Sequence, residues 1–338
     1  MAGADTGGSS SVEKLEDVIV RSAEQVAGQI RSAKEAISTV IFGQDRVIEN
    51  TLVTILSGGH ALLIGVPGLA KTKLVETLGI TLGLDAKRIQ FTPDLMPSDI
   101  LGAEVLDEST SGKRSFRFIA GPVFAQLLMA DEINRASPRT QSALLQAMQE
   151  QHITVAGARH DLPKPFHVLA TQNPLEQEGT YPLPEAQLDR FLMEIDVDYP
   201  DRDAERRILF ETTGAEETLA KAAMNAETLI AAQRLVRRLP VGDSVVEAIL
   251  SLVRSARPGS EGEAGKLIAW GPGPRASQSL MLAVRARALL DGRLSPSVDD
   301  VLDLAEPILK HRMALTFSAR AEGRTIADVV KQLKTRIG

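Results

Sequence analysis

The sequence predicts an α/β domain built on a mostly parallel sheet, followed by a smaller all-α domain. Three observations indicate this fold class. Short apolar runs alternate with helical patterns through the first part of the chain, as in parallel sheets whose strands are joined by helices. The first run ends in a glycine-bearing loop that closes with Lys-Thr. After position 200 nearly every segment has a helical pattern, interrupted mainly at prolines and glycines.

The elements follow from the spacing of apolar residues. Residues 12–40 repeat apolar side chains at helical spacing, and a second helix is predicted over 45–57. The first strand, 60–64, leads through the loop into a helix over 71–82. The remaining strands of a five-stranded sheet are predicted at 88–91, 127–130, 166–171 and 191–197.

Two segments interrupt the α/β order. Residues 103–107 and 115–119 alternate like strands around a turn-rich segment, and 152–155 and 159–162 flank an Ala-Gly turn. Each pair predicts a β-hairpin inserted into the domain. We expect a disordered N-terminus over 1–10, the α/β domain over 11–200 and the all-α domain over 201–338.

Composition narrows the class of protein. The 338 residues suffice for about two domains. With 38 basic and 44 acidic residues the net charge is −6, which disfavours nucleic acid as a partner. The absence of cysteine excludes disulfides and thiolate metal sites. No apolar run approaches the roughly 20 residues that span a bilayer, and there is no signal-peptide pattern, so we expect a cytoplasmic protein without a membrane span.

The loop after the first strand has the layout of a phosphate-binding loop. Its backbone N–H groups can surround an anion, and the following helix directs its N-terminus at the same phosphates. Lys71 can reach the outer phosphates, and Thr72 can offer a hydroxyl to Mg²⁺. The residues expected to bind the nucleotide here are Gly65, Pro67, Gly68, Leu69, Ala70, Lys71 and Thr72.

One residue departs from the general pattern of such loops. Ala70 stands where glycine usually precedes the lysine. Alanine is tolerated there if its backbone has right-handed helical dihedral angles, because only a positive φ demands glycine. We therefore predict a right-handed Ala70 at the start of the helix that contains Lys71.

Polar side chains end two later strands. Asp131 and Glu132 follow a buried strand, so we expect them at the carboxyl edge of the sheet beside the loop. Asp131 is predicted to hold Mg²⁺ together with Thr72, and Glu132 to polarise the attacking water. The alternative is an acidic pair that only caps the next helix. Asn173 ends another strand and can orient the water, although Asn-Pro is also an ordinary turn signal.

Two arginines are candidates for contacts with the γ-phosphate. Arg190 precedes the last strand and can act as an arginine finger on a neighbouring subunit's nucleotide. Arg275 follows Gly-Pro-Gly-Pro at a helix start and can reach the γ-phosphate across the cleft between the domains. Taken singly, each is also compatible with a solvated surface charge.

Together these motifs resemble the AAA+ ATPases, and among them the MoxR family. The resemblance rests on the loop with its alanine, Asp-Glu-Ile-Asn-Arg-Ala at 131–136, the segments 91–99 and 181–191, and Gly-Pro-Arg at 273–275. It implies an AAA+ core that binds ATP and Mg²⁺, with a helical lid. The roles it implies are Walker A for Lys71 and Thr72, Walker B for Asp131 and Glu132, sensor 1 for Asn173, the finger for Arg190, sensor 2 for Arg275 and the adenine pocket for Gly43 and Gln44.

The resemblance also implies how the protein works. The hairpins at 103–119 and 152–165 would be the helix-2 and pre-sensor-1 inserts, facing the pore of a hexameric ring. Members of the family typically remodel or mature protein clients, many with a partner that has a von Willebrand factor A domain. Two alternatives stay open: a nucleic-acid motor, for which the hairpins supply Lys113, Arg114, Arg117, Arg159 and Lys164, and a nucleotide-gated scaffold that hardly hydrolyses ATP.

Overall fold

The computed structural model describes residues 24–108, 114–176, 178–214 and 218–337. The N-terminus predicted over 1–10, the turn of the first hairpin and Lys113 lie outside these residues. In the described part of the chain, no helix is both long enough and apolar enough to cross a membrane.

The core is a five-stranded sheet in which every pair of neighbours is parallel, in the order β2-β5-β8-β1-β9. This confirms the predicted α/β fold class. Its three central strands are almost wholly buried, which explains their unbroken apolar sequences. The strands are β1 (Ala61–Ile64), β2 (Ala86–Gln90), β5 (Leu127–Asp131), β8 (His167–Gln172) and β9 (Met193–Asp196).

Helices cover both faces of the sheet, in two apolar clusters on opposite sides. The first cluster also includes residues of the second domain, so the two domains share one continuous core on that side. The sequence specifies where helix α5 (Pro138–Glu150) begins. Ser137 is its N-cap and accepts a hydrogen bond from Thr140 N–H, and Pro138 is its first residue. The helices of this domain are α1 (24–38), α2 (Asp45–Leu56), α3 (Lys71–Leu82), α4 (Pro97–Leu101), α5 (Pro138–Glu150) and α6 (Glu185–Leu188).

Both inserted hairpins are present. Strands β3 (Gly102–Glu108) and β4 (Arg114–Ala120) form one antiparallel pair. Strands β6 (His152–Val155) and β7 (Ala158–Asp161) form the other. Phe118 of β4 stacks on the His160 ring of β7 with the ring centroids 4.0 Å apart, so the two hairpins contact each other.

The described residues of the second domain are mostly helical and include one short β-ribbon. Strands β10 (Ile268–Trp270) and β11 (Ala314–Leu315) pair antiparallel, which the all-α prediction missed because so short a pair leaves no periodic signal. Ser297 and Asp300 form a capping box at the start of α12. A 3₁₀ turn covers Lys310–Arg312. The helices are α7 (Arg202–Thr212), α8 (Ala226–Val236), α9 (Asp243–Ser255), α10 (Glu263–Leu267), α11 (Pro274–Leu290), α12 (Val298–Leu309), α13 (Phe317–Ala321) and α14 (Ile326–Lys334).

Two buried histidines lie at the amino end of the sheet, and His167 also contacts the second domain. His60 Nδ1 accepts a hydrogen bond from Val168 N–H at 2.9 Å. His167 donates from Nδ1 to the Gly59 carbonyl oxygen at 2.8 Å and accepts at Nε2 from Gln233 of α8 at 3.0 Å. Burial lowers the pKa of His60 to about 3, with His167 adding to the shift, and burial lowers the pKa of His167 to about 4. Both rings therefore stay neutral in the folded protein.

We expect the free energy of unfolding to decrease as the pH falls below about 6.5, the ordinary pKa of histidine. The unfolded chain then takes up protons that the folded protein refuses until about pH 4 for His167 and about pH 3 for His60. Each histidine contributes roughly 1.4 kcal/mol per pH unit within its range. Denaturant unfolding from pH 7.5 to 5 measures the slope, and His167→Gln should flatten it. A stability independent of pH over this range contradicts the assignment.

Candidate active site

The phosphate-binding loop and the polar strand ends meet at the carboxyl edge of the sheet, as parallel topology requires. They enclose a cavity of about 470 Å³, which we call the phosphate cavity. Its lining includes most of the predicted site and two side chains of β2 that the sequence did not single out. The lining residues are Pro67, Gly68, Leu69, Ala70, Lys71, Thr72, Lys73, Arg88, Gln90, Asp131, Glu132, Thr171 and Asn173.

The loop is held by close backbone packing at its start. A Cβ on Gly65 would lie 2.6 Å from the Val197 carbonyl oxygen, so only glycine fits there. Lys71 Nζ donates hydrogen bonds to the carbonyl oxygens of Gly65 and, at 2.9 Å, Val66. Burial lowers the pKa of the Lys71 ammonium, while the Asp131 and Glu132 carboxylates oppose that shift.

The prediction of a right-handed Ala70 is wrong. Its dihedral angles are φ 58° and ψ 21°, in the left-handed region, where it forms the N-cap of α3. The Ala70 carbonyl oxygen already accepts a hydrogen bond from Leu74 N–H at 2.9 Å, so the turn into the helix takes place at this residue. A left-handed conformation costs a residue with a Cβ roughly 1–2 kcal/mol. The loop therefore carries backbone strain at a residue that lines the phosphate cavity.

Ala70→Gly is expected to raise the free energy of unfolding by about 0.5–1 kcal/mol, because glycine adopts this conformation without steric cost. The matched control is Ala231→Gly in α8, a right-handed and exposed helical position, which should lose about 1 kcal/mol. Urea unfolding of both variants gives the two signs. Destabilisation of similar size at both positions would contradict the strain.

Both carboxylate oxygens of Asp131 already have partners. Thr171 Oγ1 donates to Oδ1 at 2.5 Å, and Arg88 donates to Oδ2 from Nη2 at 2.6 Å and from Nε at 3.2 Å. The predicted Mg²⁺ ligands, Thr72 and Asp131, line the same cavity. A hydroxyl and one carboxylate suit Mg²⁺, which takes few protein oxygens and completes its shell with phosphate and water. In the described residues, no group of three His, Cys, Asp or Glu side chains forms a closed metal site.

Glu132 is held in a second left-handed conformation, with φ 54°. Its N–H donates to Thr171 Oγ1 at 2.9 Å. Its carboxylate accepts from Gln90 Nε2 at 2.6 Å and from Arg135 Nη1 at 3.2 Å. The side chain makes no capping hydrogen bond to the 3₁₀ turn Ile133–Arg135, which disfavours the simple helix-cap alternative. Strained backbone at a polar strand end is typical of functional positions.

Asn173 lies in the phosphate cavity, but its amide also stabilises the turn that follows. Its Oδ1 accepts from Leu175 N–H at 3.1 Å, and its Nδ2 donates to Glu176 at 3.5 Å. Arg135 pairs with both Glu132 and Glu176, at 3.2 and 3.4 Å. A network of charged side chains thus connects Asn173 to Glu132, and Glu176 and Arg135 were not found from the sequence.

Arg190 and Arg275 are not among the described residues that line the phosphate cavity. They line a separate cavity of about 210 Å³, where Arg275 pairs with Asp189 at 3.4 Å. In this structure Arg275 therefore lies outside the lining of the phosphate cavity of its own chain. Arg190 follows Asp189 in the chain, and Arg275 pairs with Asp189 in space. We call these two arginines the cationic patch.

Arg312 fixes the position of that patch and was missed in the sequence. Its side chain is only 1% exposed. Its Nε donates to Asp189 at 2.7 Å, and its other nitrogens donate to the carbonyl oxygens of Phe191, at 2.7 Å, and Leu192, at 3.2 Å. The 3₁₀ turn of the second domain is thereby bound to the segment that contains Arg190.

A second cavity, of about 620 Å³, lies beside the loop and shares Gly68, Leu69 and Ala70 with the phosphate cavity. Gln44 lines it, together with Phe42 and Ile208. Gly43 does not, but it supports this wall, because a Cβ there would lie 2.5 Å from that of Ala204. An apolar cleft continuous with a phosphate loop fits a planar base.

Comparison with known proteins agrees with this geometry. The model of the ATPase family associated with various cellular activities (AAA) matches residues 60–193, and that of the AAA lid domain matches 262–333. The chaperone MoxR1 of Mycobacterium tuberculosis is 40% identical over 95% of this chain and 85% of its own length. The protein MoxR of Paracoccus denitrificans is 32% identical over 85% of this chain and 89% of its own length.

A solved structure shows the same architecture. The crystal structure of a protein from Cytophaga hutchinsonii superposes with a TM-score of 0.86 at 36% sequence identity, covering 96% of this chain and 97% of that one. The match therefore includes both domains. On this evidence the chain belongs to the MoxR family of AAA+ ATPases.

Proposed function

We propose that this protein hydrolyses ATP with Mg²⁺ as an AAA+ ring, and that it uses the energy to remodel or mature protein clients. One observation carries the proposal: Lys71, Thr72, Asp131, Glu132 and Asn173 line a single cavity at the carboxyl edge of the sheet, next to an apolar cleft. We assign the nucleotide-binding domain to 11–200 and the lid to 201–338.

Each side chain has a distinct task in this proposal. Lys71 binds the outer phosphates, and the loop N–H groups surround them. Thr72 and Asp131 hold Mg²⁺, which neutralises phosphate charge when bound. Glu132 accepts the proton of the attacking water, and Asn173 orients that water. Gln90 and Arg135 both donate to Oε2 of Glu132, which leaves its Oε1 to accept the proton.

The position of the two arginines supports assembly into a ring. Arg190 and Arg275 lie away from their own phosphate cavity, and Arg275 has 44% of its side chain exposed. A homo-oligomer brings such a patch to the next subunit's nucleotide, where an arginine stabilises the charge of the transition state. We propose a hexamer, as in the wider family.

The client and the adaptor are proposed from family membership. One relative is named a chaperone. The hairpin β3–β4 carries exposed apolar side chains, among them Leu106 and Phe116, with Phe116 71% exposed. Such a surface is suited to transient contact with a polypeptide. We propose a protein with a von Willebrand factor A domain as the partner that delivers the client.

The hairpin charges favour a protein client over nucleic acid. Arg114 pairs with Glu108, Arg117 with Asp107 and Arg159 with Asp161. Each of these cations thus has a carboxylate beside it, which reduces the positive field that a phosphate backbone needs. The nucleic-acid motor is for this reason the weaker alternative.

Two measurements test the proposal. Phosphate release from ATP, with and without Mg²⁺, distinguishes an ATPase from a scaffold that only binds nucleotide. Sedimentation with a non-hydrolysable ATP analogue and with ADP reports the oligomeric state. An inactive or strictly monomeric protein under all these conditions would overturn it.

A further inference from the structure

Arg88 extends from the edge strand β2 to the metal-binding carboxylate. Its guanidinium donates from two nitrogens, at 2.6 and 3.2 Å, to the same oxygen of Asp131, Oδ2. The side chain is 51% exposed. A guanidinium with such exposure can leave the carboxylate for solvent at little cost, since exposed ion pairs contribute only modestly to stability.

The orientation of Arg88 is fixed by its neighbours. Its Nη2 also donates to Gln90 Oε1 at 3.0 Å, and Gln90 in turn donates to Glu132 at 2.6 Å. Thr171 holds the other oxygen of Asp131. A continuous chain of hydrogen bonds therefore joins both carboxylates of the site through two side chains of β2.

Repulsion between two carboxylates explains why a cation lies beside Asp131 before Mg²⁺ binds. Asp131 and Glu132 are adjacent carboxylates in one cavity, and their mutual repulsion is reduced by nearby cations. Arg88 supplies a positive charge at the oxygen that Mg²⁺ needs. Two guanidinium nitrogens of Arg88 already use both acceptor sites of Oδ2, so Mg²⁺ has to displace at least one of them to bind this oxygen.

We propose that Arg88 is a positioning residue that occupies Asp131 Oδ2 in the nucleotide-free protein and is displaced when Mg²⁺ enters, so that it lowers the apparent Mg²⁺ affinity. The proposal rests on the proposed function, since it concerns the same site. Displacement of Arg88 also removes the donor that orients Gln90, which loosens the contact of Gln90 with Glu132. Entry of the metal and the hydrogen bonding of Glu132 are thereby linked.

The test compares Arg88→Gln with wild type and with Lys87→Gln. Lys87 is the adjacent cation on the same strand, and its ammonium donates to the Phe124 carbonyl oxygen instead. Each protein is saturated with a fluorescent, non-hydrolysable ATP analogue, and Mg²⁺ is titrated while fluorescence is followed. We expect half-saturation at roughly three- to tenfold lower Mg²⁺ in Arg88→Gln and no change in Lys87→Gln. Arg88→Lys should lie between wild type and Arg88→Gln.

Binding of the same analogue in EDTA distinguishes competition with the metal from direct contact between Arg88 and phosphate. The Arg88→Gln variant should bind the analogue as wild type does. Weaker binding in EDTA would make Arg88 a phosphate ligand and overturn the proposal, and so would an unchanged or higher Mg²⁺ requirement. If wild type itself fails to bind the analogue with Mg²⁺, the proposed function fails rather than the role of Arg88 within it.

Discussion

Glu132→Gln is expected to lower the rate of ATP hydrolysis by about 10²–10⁴-fold, the range typical for loss of a general base. Glutamine keeps the size of the side chain and its acceptor oxygen for Gln90 and Arg135, but it cannot take a proton from water. Nucleotide binding should stay close to wild type, because Lys71 and the loop are intact. Phosphate release under saturating ATP and equilibrium binding of a fluorescent analogue measure the two effects separately.

The matched control removes a carboxylate elsewhere. Glu227→Gln changes an exposed glutamate in the first turn of α8 and should leave hydrolysis within about twofold, since such surface changes are usually small. A Glu132→Gln variant that hydrolyses ATP at the wild-type rate would remove the proposed base. A variant that loses binding as well would point to a structural role of Glu132 at the strand end.

Arg190→Ala should reduce hydrolysis by roughly 10³-fold while each isolated subunit still binds nucleotide, since fingers contribute about 10³–10⁵ where they act. The physical reason is geometric: Arg190 does not line the phosphate cavity of its own chain, so in the proposed ring we expect it to act on another subunit's nucleotide. The matched control is Arg237→Ala, an exposed arginine just after α8, which should keep wild-type turnover.

Mixing two inactive variants tests whether Arg190 acts between subunits. Lys71→Ala subunits lack a working phosphate loop but present an intact Arg190. In mixed rings, some interfaces join the intact loop of an Arg190→Ala subunit to that intact arginine. Activity should therefore reappear on mixing, in proportion to such interfaces. Mixtures as inactive as their components would contradict action between subunits.

The sheet was predictable because its signal is local and continuous. Strands buried on both faces need unbroken apolar runs, and those of β5 and β8 end at polar residues that the topology then places together. The ribbon β10–β11 was not predictable, since two- and three-residue strands are specified by packing rather than by periodicity. The prediction for Ala70 failed for a related reason, because the steric cost of a Cβ at positive φ argues for a right-handed alanine while the geometry of the loop imposes the opposite.

The residues of the candidate site likewise fall into those that the sequence predicted and those that it did not. Side chains within contiguous motifs, such as Lys71 and Asp131, were found because the spacing of residues in these motifs is typical of phosphate and metal binding. Arg88, Thr171 and Arg312 belong to no such motif. They meet Asp131 or Asp189 only through strand order and domain packing, and Arg312 is 123 residues from its carboxylate partner in sequence. Partners of this kind become visible only in three dimensions.

The buried Arg312 binds the second domain to the segment that contains Arg190. Helix α7 of the proposed lid lines the cavity proposed for the base. In the 3₁₀ turn of the same domain, Arg312 donates hydrogen bonds to the Asp189 carboxylate and the Phe191 carbonyl oxygen, on either side of Arg190 in the chain. In the proposed ring, a lid that pivots when its nucleotide changes must carry Arg190 with it or break several buried hydrogen bonds. The occupancy of one subunit is then transmitted to its neighbour as a displacement. Such coupling between subunits favours ATP hydrolysis that proceeds in order around the ring over hydrolysis at each site independently.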